Sequence, residues 1–232
     1  LTLIGFLQVH GLALALLVLA GLYIGRIAVV PGAFRSSLPM VLLTAALFLG
    51  VNLFWIVRYV MVGGGIVDNM PTGELSFFAA SPATDVLSLR GFWLSGAFTD
   101  ISDLSSAWWL LFAPLFFLAS YGALTMMGDR SLRWLAVGLV LTGSAGAVLA
   151  AGPAISITEP AFRALWEQVP WYRAFRDSHK FVALLALAYV YLGAYGLQHV
   201  LDVARRATPL ARRLARPAGV LILIVPIVYT LP

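Results

Sequence analysis

The chain has 232 residues, of which 61% are hydrophobic and 11% charged, with a net charge of +5 and no cysteine. A mean hydropathy of +0.94 is more apolar surface than a soluble domain hides, so the solvent is lipid. The missing cysteines exclude disulfides and thiolate metal sites, and the three scattered histidines form no zinc constellation. The basic balance does not point to nucleic acid, because the charge is sorted by membrane side.

In chain order, six stretches are apolar and long enough to span: Leu3–Ile24, Leu38–Val62, Ala107–Met127, Leu132–Ala151, Phe181–Leu201 and Pro217–Leu231. Each approaches the roughly 20 residues that a span needs, the last being short. Leu1 sits inside an apolar run, and Val220 to Pro232 stops without a polar tail. The chain therefore reads as a piece of a longer polytopic protein, with one transmembrane domain over 1–232. The first run lacks the basic flank of a signal peptide. The fold class expected is all-α: a polytopic transmembrane helical bundle of about six spans. Two long outer loops, 63–106 and 152–180, are expected to carry short interfacial helices.

The links after spans one, three and five hold nine arginines and two acids, whereas the opposite side holds six basic residues and eight acids. Cytoplasmic links are rich in Arg and Lys. Those links are therefore expected inside, the long loops outside, and the whole chain in a cytoplasmic (inner) membrane. Loops of this length usually carry function or small elements of their own. Ser81-Pro-Ala-Thr-Asp85 can cap a short helix with Pro82 at its first position. Thr158-Glu-Pro-Ala opens another, with Phe162, Leu165, Trp166 and Val169 spaced to share one face. This second helix is expected to lie flat on the outer surface.

Charge is concentrated in Trp171–Phe181, which carries Arg173, Arg176, Asp177, His179 and Lys180. If the segment is helical, Arg173, Arg176 and Lys180 share a stripe. Such a stripe suits a phosphate or diphosphate, with Arg giving a bidentate fork and Lys a compact charge. His179 can donate a hydrogen bond or shuttle a proton, and Asp177 can hold Arg173. The competing reading is an anchor that snorkels to lipid headgroups. Arg58, near the outer end of the second span with Asn52 about two turns deeper, either faces a cavity or snorkels. Asp85, Arg90, Phe92 and Trp93 bring an acid, a base and two aromatics together, to bind a sugar or to pack a surface helix. Asp100 and Asp103 could hold a divalent cation, although such a pair more often caps a helix. Asp68 and Glu74 flank Pro71 as turn chemistry, and Gly63-Gly-Gly65 lacks the strand-to-helix setting of a phosphate loop. His10 and His199 read as packed within spans. Arg205, Arg206, Arg212 and Arg213 set topology and touch anionic lipid.

Three segments together, Asn52-Leu-Phe-Trp55, Leu87-Ser-Leu-Arg-Gly-Phe-Trp93 and Phe175-Arg-Asp-Ser-His-Lys-Phe181, resemble large membrane glycosyltransferases of the GT-C type. The nearest members are the arabinofuranosyltransferase-like and YfhO-like ones, and the resemblance covers most of the chain. It implies an enzyme that takes a sugar from a polyprenyl-phosphate carrier at the outer face and passes it to a cell-envelope glycan or lipid. It implies a carboxylate base in an early outer loop, expected before Leu1, so the catalytic residue is unknown. Carrier recognition would fall to Arg173, Arg176, Asp177, His179 and Lys180, helped by Arg58 and Arg90, with Trp93 and Trp171 stacking on the sugar. No cofactor is specified beyond room for a divalent cation. The partners implied are the donor, membrane lipids and the glycan or lipid acceptor, not nucleic acid. Two alternatives stay open: a transporter or flippase of a lipid-linked anion, and a non-catalytic structural subunit.

Overall fold

The computed structural model describes residues 9–62, 71, 86–89, 108–175 and 178–206, with six positions between 209 and 224. Helices α1 (Val9–Val29), α2 (Ala33–Val62), α3 (Trp108–Gly128), α4 (Arg133–Ala151), α5 (Glu159–Gln168) and α6 (Val182–Arg206) make the fold all-α, with no strand among the described residues. Three stretches, Ala33–Leu53, Arg133–Ala154 and Ser178–Arg206, are long and apolar enough to cross a membrane. The helices cover five of the six stretches read from hydropathy. The sixth, Pro217–Leu231, lies almost wholly outside the described residues, as does the capped turn at Ser81–Asp85.

Local chemistry sets where these helices begin and end. Helix α1 runs past Ile24 to Val29 and stops at Pro31-Gly32, where Gly32 takes a φ of 75° that other residues adopt at a cost. Helix α2 opens earlier than hydropathy suggests, at Ala33, with Ser36 and Ser37 donating their hydroxyls back to the Ala33 carbonyl. Both α2 and α3 hold an internal proline, Pro39 and Pro114, each of which removes one backbone donor. The α3–α4 turn is built on Asp129, whose Oδ1 accepts from the Ser131 amide at 2.8 Å and the Ser131 hydroxyl at 2.7 Å.

Small residues decide which helices meet. On α3 and α6, a Cβ added at Gly122 would overlap the Leu192 carbonyl, and one at Gly196 would overlap the Leu118 carbonyl. On α1 and α4, a Cβ at Gly25 would lie 2.6 Å from the Trp134 carbonyl oxygen, and one at Gly138 would lie 2.8 Å from the Leu22 Cα. Gly143 and Gly146 of α4 turn instead to Ala188 and Leu184 of α6. Such approaches let backbones touch, which is how helices associate where lipid is as apolar as leucine. Thr142, 1% exposed in this contact, satisfies its hydroxyl on the Gly138 carbonyl at 2.8 Å.

Helix α4 is therefore central, packed on α1, α3 and α6, while α2 lies at the edge and leans lightly on α1. The pairs Phe112–Tyr189, Gly122–Gly196 and Tyr121–His199 advance together, so α3 and α6 run parallel, and α4 runs against them. The bundle has two unlike ends. One, the arginine end, holds the α1–α2 and α3–α4 turns and the foot of α6. There Arg26 stacks on Trp134 at 5.8 Å, and Arg133 donates to the Met127 carbonyl at 2.8 Å. The other, the loop end, holds α5 and the turns that lead into α6.

Candidate functional site

The loop end is assembled on the tip of α4. Gly152 takes a φ of 47° and starts a short 3-10 turn, Gly152–Ala154, that redirects the chain into α5. The Thr158 hydroxyl fastens this reversal by donating to the Gly152 carbonyl at 2.6 Å. Helix α5 buries Phe162 and Trp166 against Tyr172, in a small core that rests on Leu149 of α4 and shares Phe175 with the tip of the bundle. Trp166 is only 1% exposed. Burial also pushes the Tyr172 hydroxyl pKa up to about 12. The amphipathic reading of α5 holds for Phe162 and Trp166. It is corrected at Leu165, which is 41% exposed, because the helix rests on its cover through a narrower stripe than the spacing implied.

The cation-rich segment differs more from its sequence reading. It forms two 3-10 turns, Pro170–Phe175 and Ser178–Phe181, in place of one α-helix. Both are pinned by burial. The Tyr172 amide donates to the Val169 carbonyl at 2.8 Å, and the Ser178 hydroxyl donates to the Ala150 carbonyl at 3.1 Å on the tip of α4. The rings of Phe175 and Phe181 meet at 6.2 Å and tie the turns together. A continuous α-helical stripe through Arg173 and Lys180 is therefore not formed. Arg173 hooks onto α5 instead, its Nε donating to the Trp166 carbonyl at 3.0 Å. His179 and Lys180 sit half-buried at the mouth of α6, with the His179 Nδ1 buried.

Three of the sequence candidates, Arg173, His179 and Lys180, thus come to one end of the bundle on two joined turns. Arg176, Asp177, Arg90 and Trp93 lie outside the described residues, as do Asp68, Glu74, Asp85, Asp100 and Asp103. Arg58 lies on the last turns of α2, which run toward the loop end; its side chain and that of Trp171 lie outside the described part. Asn52, deeper on α2, is 2% exposed and donates to the Phe48 carbonyl at 2.8 Å. Arg163 on α5 is paired with Glu159 at 2.6 Å, and this bond raises its pKa. Among the described residues no group of three or more His, Asp or Glu could hold a metal ion. At the other end, His199 is hydrogen-bonded to the Tyr121 hydroxyl at 2.8 Å.

Sequence reasoning missed what lies beneath the cations. Helices α3, α4 and α6 leave a groove of about 250 Å³, open to one side and walled largely by small residues such as Ala119, Ala123, Gly143, Ala147 and Ala188. An apolar cavity of about 150 Å³ already accommodates benzene, so this one has room for a stretch of hydrocarbon. Its upper wall includes Leu185, five residues along from Lys180, or roughly 8 Å of helix. The signal in sequence was faint: glycine, alanine and serine recurring on one side of α4. Neither a family model, nor a curated protein, nor a solved structure matches this chain.

Proposed function

We propose that this chain is the carrier-recognition part of a GT-C-type membrane glycosyltransferase of about six spans in the cytoplasmic membrane, with its loop end on the outer side. In this reading a polyprenyl-phosphate sugar donor sets its phosphate against Arg173, His179 and Lys180, joined by Arg176 and Asp177. Arg58 and Arg90 assist, and Trp93 and Trp171 stack on the sugar. The acceptor is a cell-envelope glycan or lipid. The observation that carries the reading is the stacking of two features: half-buried cations at the mouth of α6, and an apolar groove about one and a half turns below them. A lipid phosphate needs both, in that order. The charge sorting supports the sidedness, since the arginine end is the one rich in positive charge.

The chemistry assigned to these residues is electrostatic. Phosphate gains negative charge as it leaves the anomeric carbon, and cations fixed beforehand in a low-dielectric setting favour that change. Arg173 is suited to it because its Nε is committed to the Trp166 carbonyl, which holds the guanidinium in one orientation. No residue of the described part is assigned as the base.

Binding of farnesyl phosphate and of farnesol to the purified protein tests this. Lys180→Gln and Arg173→Gln are expected to lower farnesyl phosphate binding by roughly tenfold or more each, the worth of a charge-assisted hydrogen bond, and to leave farnesol unchanged. Unchanged phosphate binding in both folded variants would sink the reading.

A further inference from the structure

The arginine end carries charge that the loop end does not account for. Its two turns, 26–35 and 129–133, hold Arg26, Arg35, Arg130 and Arg133 against a single carboxylate, Asp129. That carboxylate is taken up by Ser131, and Asp202 at the foot of α6 is taken up by Arg205 at 3.2 Å. Among the described residues, those four arginines have no ion-pair partner, and all four are exposed. Arg133 is turned back onto the Met127 carbonyl through its Nε. Arg26 is held in another way. Its guanidinium lies over the half-buried Trp134 ring at 5.8 Å, on the seam where Gly25 and Gly138 bring α1 and α4 into backbone contact. A cation seated on an indole is fixed by the attraction of the ring face. The edge of the guanidinium, with its N–H donors, stays free for an acceptor that can take two bonds at once.

Depth decides which acceptor that is. Arg26 lies in the last turn of an otherwise apolar helix. Seven residues back on the same face of α1, Leu19 is 46% exposed, and seven residues on from Trp134 along the same face of α4, Leu141 is 40% exposed. Seven residues are two turns, roughly 10 Å of helix, so both leucines lie on the hydrocarbon side of the cation. An anion that stands beside Arg26 with hydrocarbon at the level of Leu19 and Leu141 is a lipid headgroup. We propose that the α1–α4 seam at the arginine end is a discrete binding site for an anionic glycerophospholipid. Arg26 takes the phosphate through its free edge, Trp134 holds Arg26 in place, and Leu19 and Leu141 face the upper part of an acyl chain. Arg35 and Arg130, at the same end, favour a headgroup with net negative charge and oppose one that carries its own cation. The site lies at the other end of α4 from the turns that carry Arg173 and Lys180, and it does not depend on the carrier reading.

The test is lipid binding to the purified full chain in detergent, read by native mass spectrometry with dioleoyl phosphatidylglycerol and dioleoyl phosphatidylcholine as probes. The native chain is expected to prefer phosphatidylglycerol by roughly tenfold, as a few arginines beside an anionic headgroup provide. Arg26→Gln is expected to weaken phosphatidylglycerol binding by roughly tenfold, the loss of a charge-assisted hydrogen bond. Arg26→Lys keeps the charge but not the fork, and should weaken it by roughly threefold. Trp134→Leu keeps apolar bulk but not the ring face, and should also weaken it by roughly threefold. The control is Arg205→Gln, which removes the same charge from the same end. Because Arg205 is an exposed residue already paired with Asp202, its loss should change binding by less than about twofold. Equal binding of the two lipids by the native chain overturns the proposal. So does an Arg205→Gln variant that loses as much as Arg26→Gln, since the attraction would then be diffuse. Glycerol 3-phosphate, added at the concentration of the lipid, should not displace phosphatidylglycerol; if it does, the site serves a soluble phosphate and the lipid assignment falls.

Discussion

Helices α2 and α4 are almost equally apolar, with hydropathies of 1.8 and 1.9 over their spanning windows, yet 6% of the first window is buried and 50% of the second. The difference lies in side-chain size. Helix α4 presents Gly138, Gly143 and Gly146 to its neighbours, and each accepts a backbone or Cβ where a side chain would stand. Helix α2 presents Leu42, Leu43, Leu47 and Leu49, all more than half exposed. In water those leucines would drive association. In lipid they gain nothing by leaving one apolar surface for another, and close contact between small residues decides. Hydropathy therefore says where a helix lives, and the spacing of small residues says what it packs on.

The sharpest way to break that comparison is to give the packed helices a side chain at their crossing. Gly122→Leu puts a branched group onto the Leu192 carbonyl and must drive α3 from α6. Overpacking of this kind costs about 3 kcal/mol or more, so the melting temperature in detergent is expected to fall by roughly 10 °C. Leu47→Ala on α2 removes as large a group and is expected to change stability by no more than about 0.5 kcal/mol. Equal melting of the two variants would mean that the glycines are not what holds the bundle.

Next in size is a truncation at the loop end, where large aromatic side chains and not small residues make the contact. Trp166 is a large side chain, 1% exposed, over Phe162 and Tyr172, and Trp166→Ala is expected to cost about 3–5 kcal/mol. Because α5 and its turns touch the bundle only through Leu149 and Phe175 at the tip of α4, the loss should be concentrated at the loop end. Hydrogen exchange should rise across 159–175 while α1 and α4 keep their protection. Ser178→Ala is milder, giving up one buried hydrogen bond to the Ala150 carbonyl, for about 1 kcal/mol. Protection lost uniformly over the whole chain in Trp166→Ala would refute a loop-end cluster that loosens ahead of the bundle.

These regions were also unequally legible in sequence. Five helices could be read from hydropathy because long apolar runs declare themselves through composition alone, and their ends moved by a few residues, at Pro31-Gly32, at Ser36 and at the foot of α6, which runs past Leu201 to Arg206. Helix α5 was readable from Phe162 and Trp166, since its stripe repeats with the helical period, but Leu165 was assigned to the same stripe and proved exposed. For the segment from Trp171 to Phe181 the sequence left the helix as a condition, and nothing in its charges announces the two 3-10 turns or the burial of Tyr172 and Ser178. The groove was barely legible, through the small residues of α4 alone. It exists where three helices fail to fill a space, and small residues at distant positions on α3 and α6 leave no local pattern that says they meet. Gly21 and Gly25, four apart on α1, meet Thr142 and Trp134 of α4 closely, and the sequence reading passed over them.

The smallest expected effect concerns how the two contrasted helices begin. Helix α4 follows a turn held by the Asp129 carboxylate, which takes both hydrogen bonds of Ser131. Those bonds hold its pKa below the usual carboxylate value. Helix α2 begins on Ser36 and Ser37 hydroxyls, which do not titrate in this range. A carboxyl whose pKa is lower in the folded state stabilises it above its unfolded pKa, near 4, and that contribution is lost as pH falls through the folded pKa. Acidification below about pH 4 should therefore lower the protection factors of the Ser131 and Leu132 amides, taken relative to intrinsic exchange at the same pH, and leave those of Ser36 and Ser37 unaffected. The carboxylate is open to solvent, so the change should be a modest local loosening. Asp129→Asn keeps an acceptor oxygen without the charge, and its turn should show at neutral pH the protection factors that the native turn has in acid, with no further change in them as pH falls. A native-like pH response in that variant would place the titrating group elsewhere.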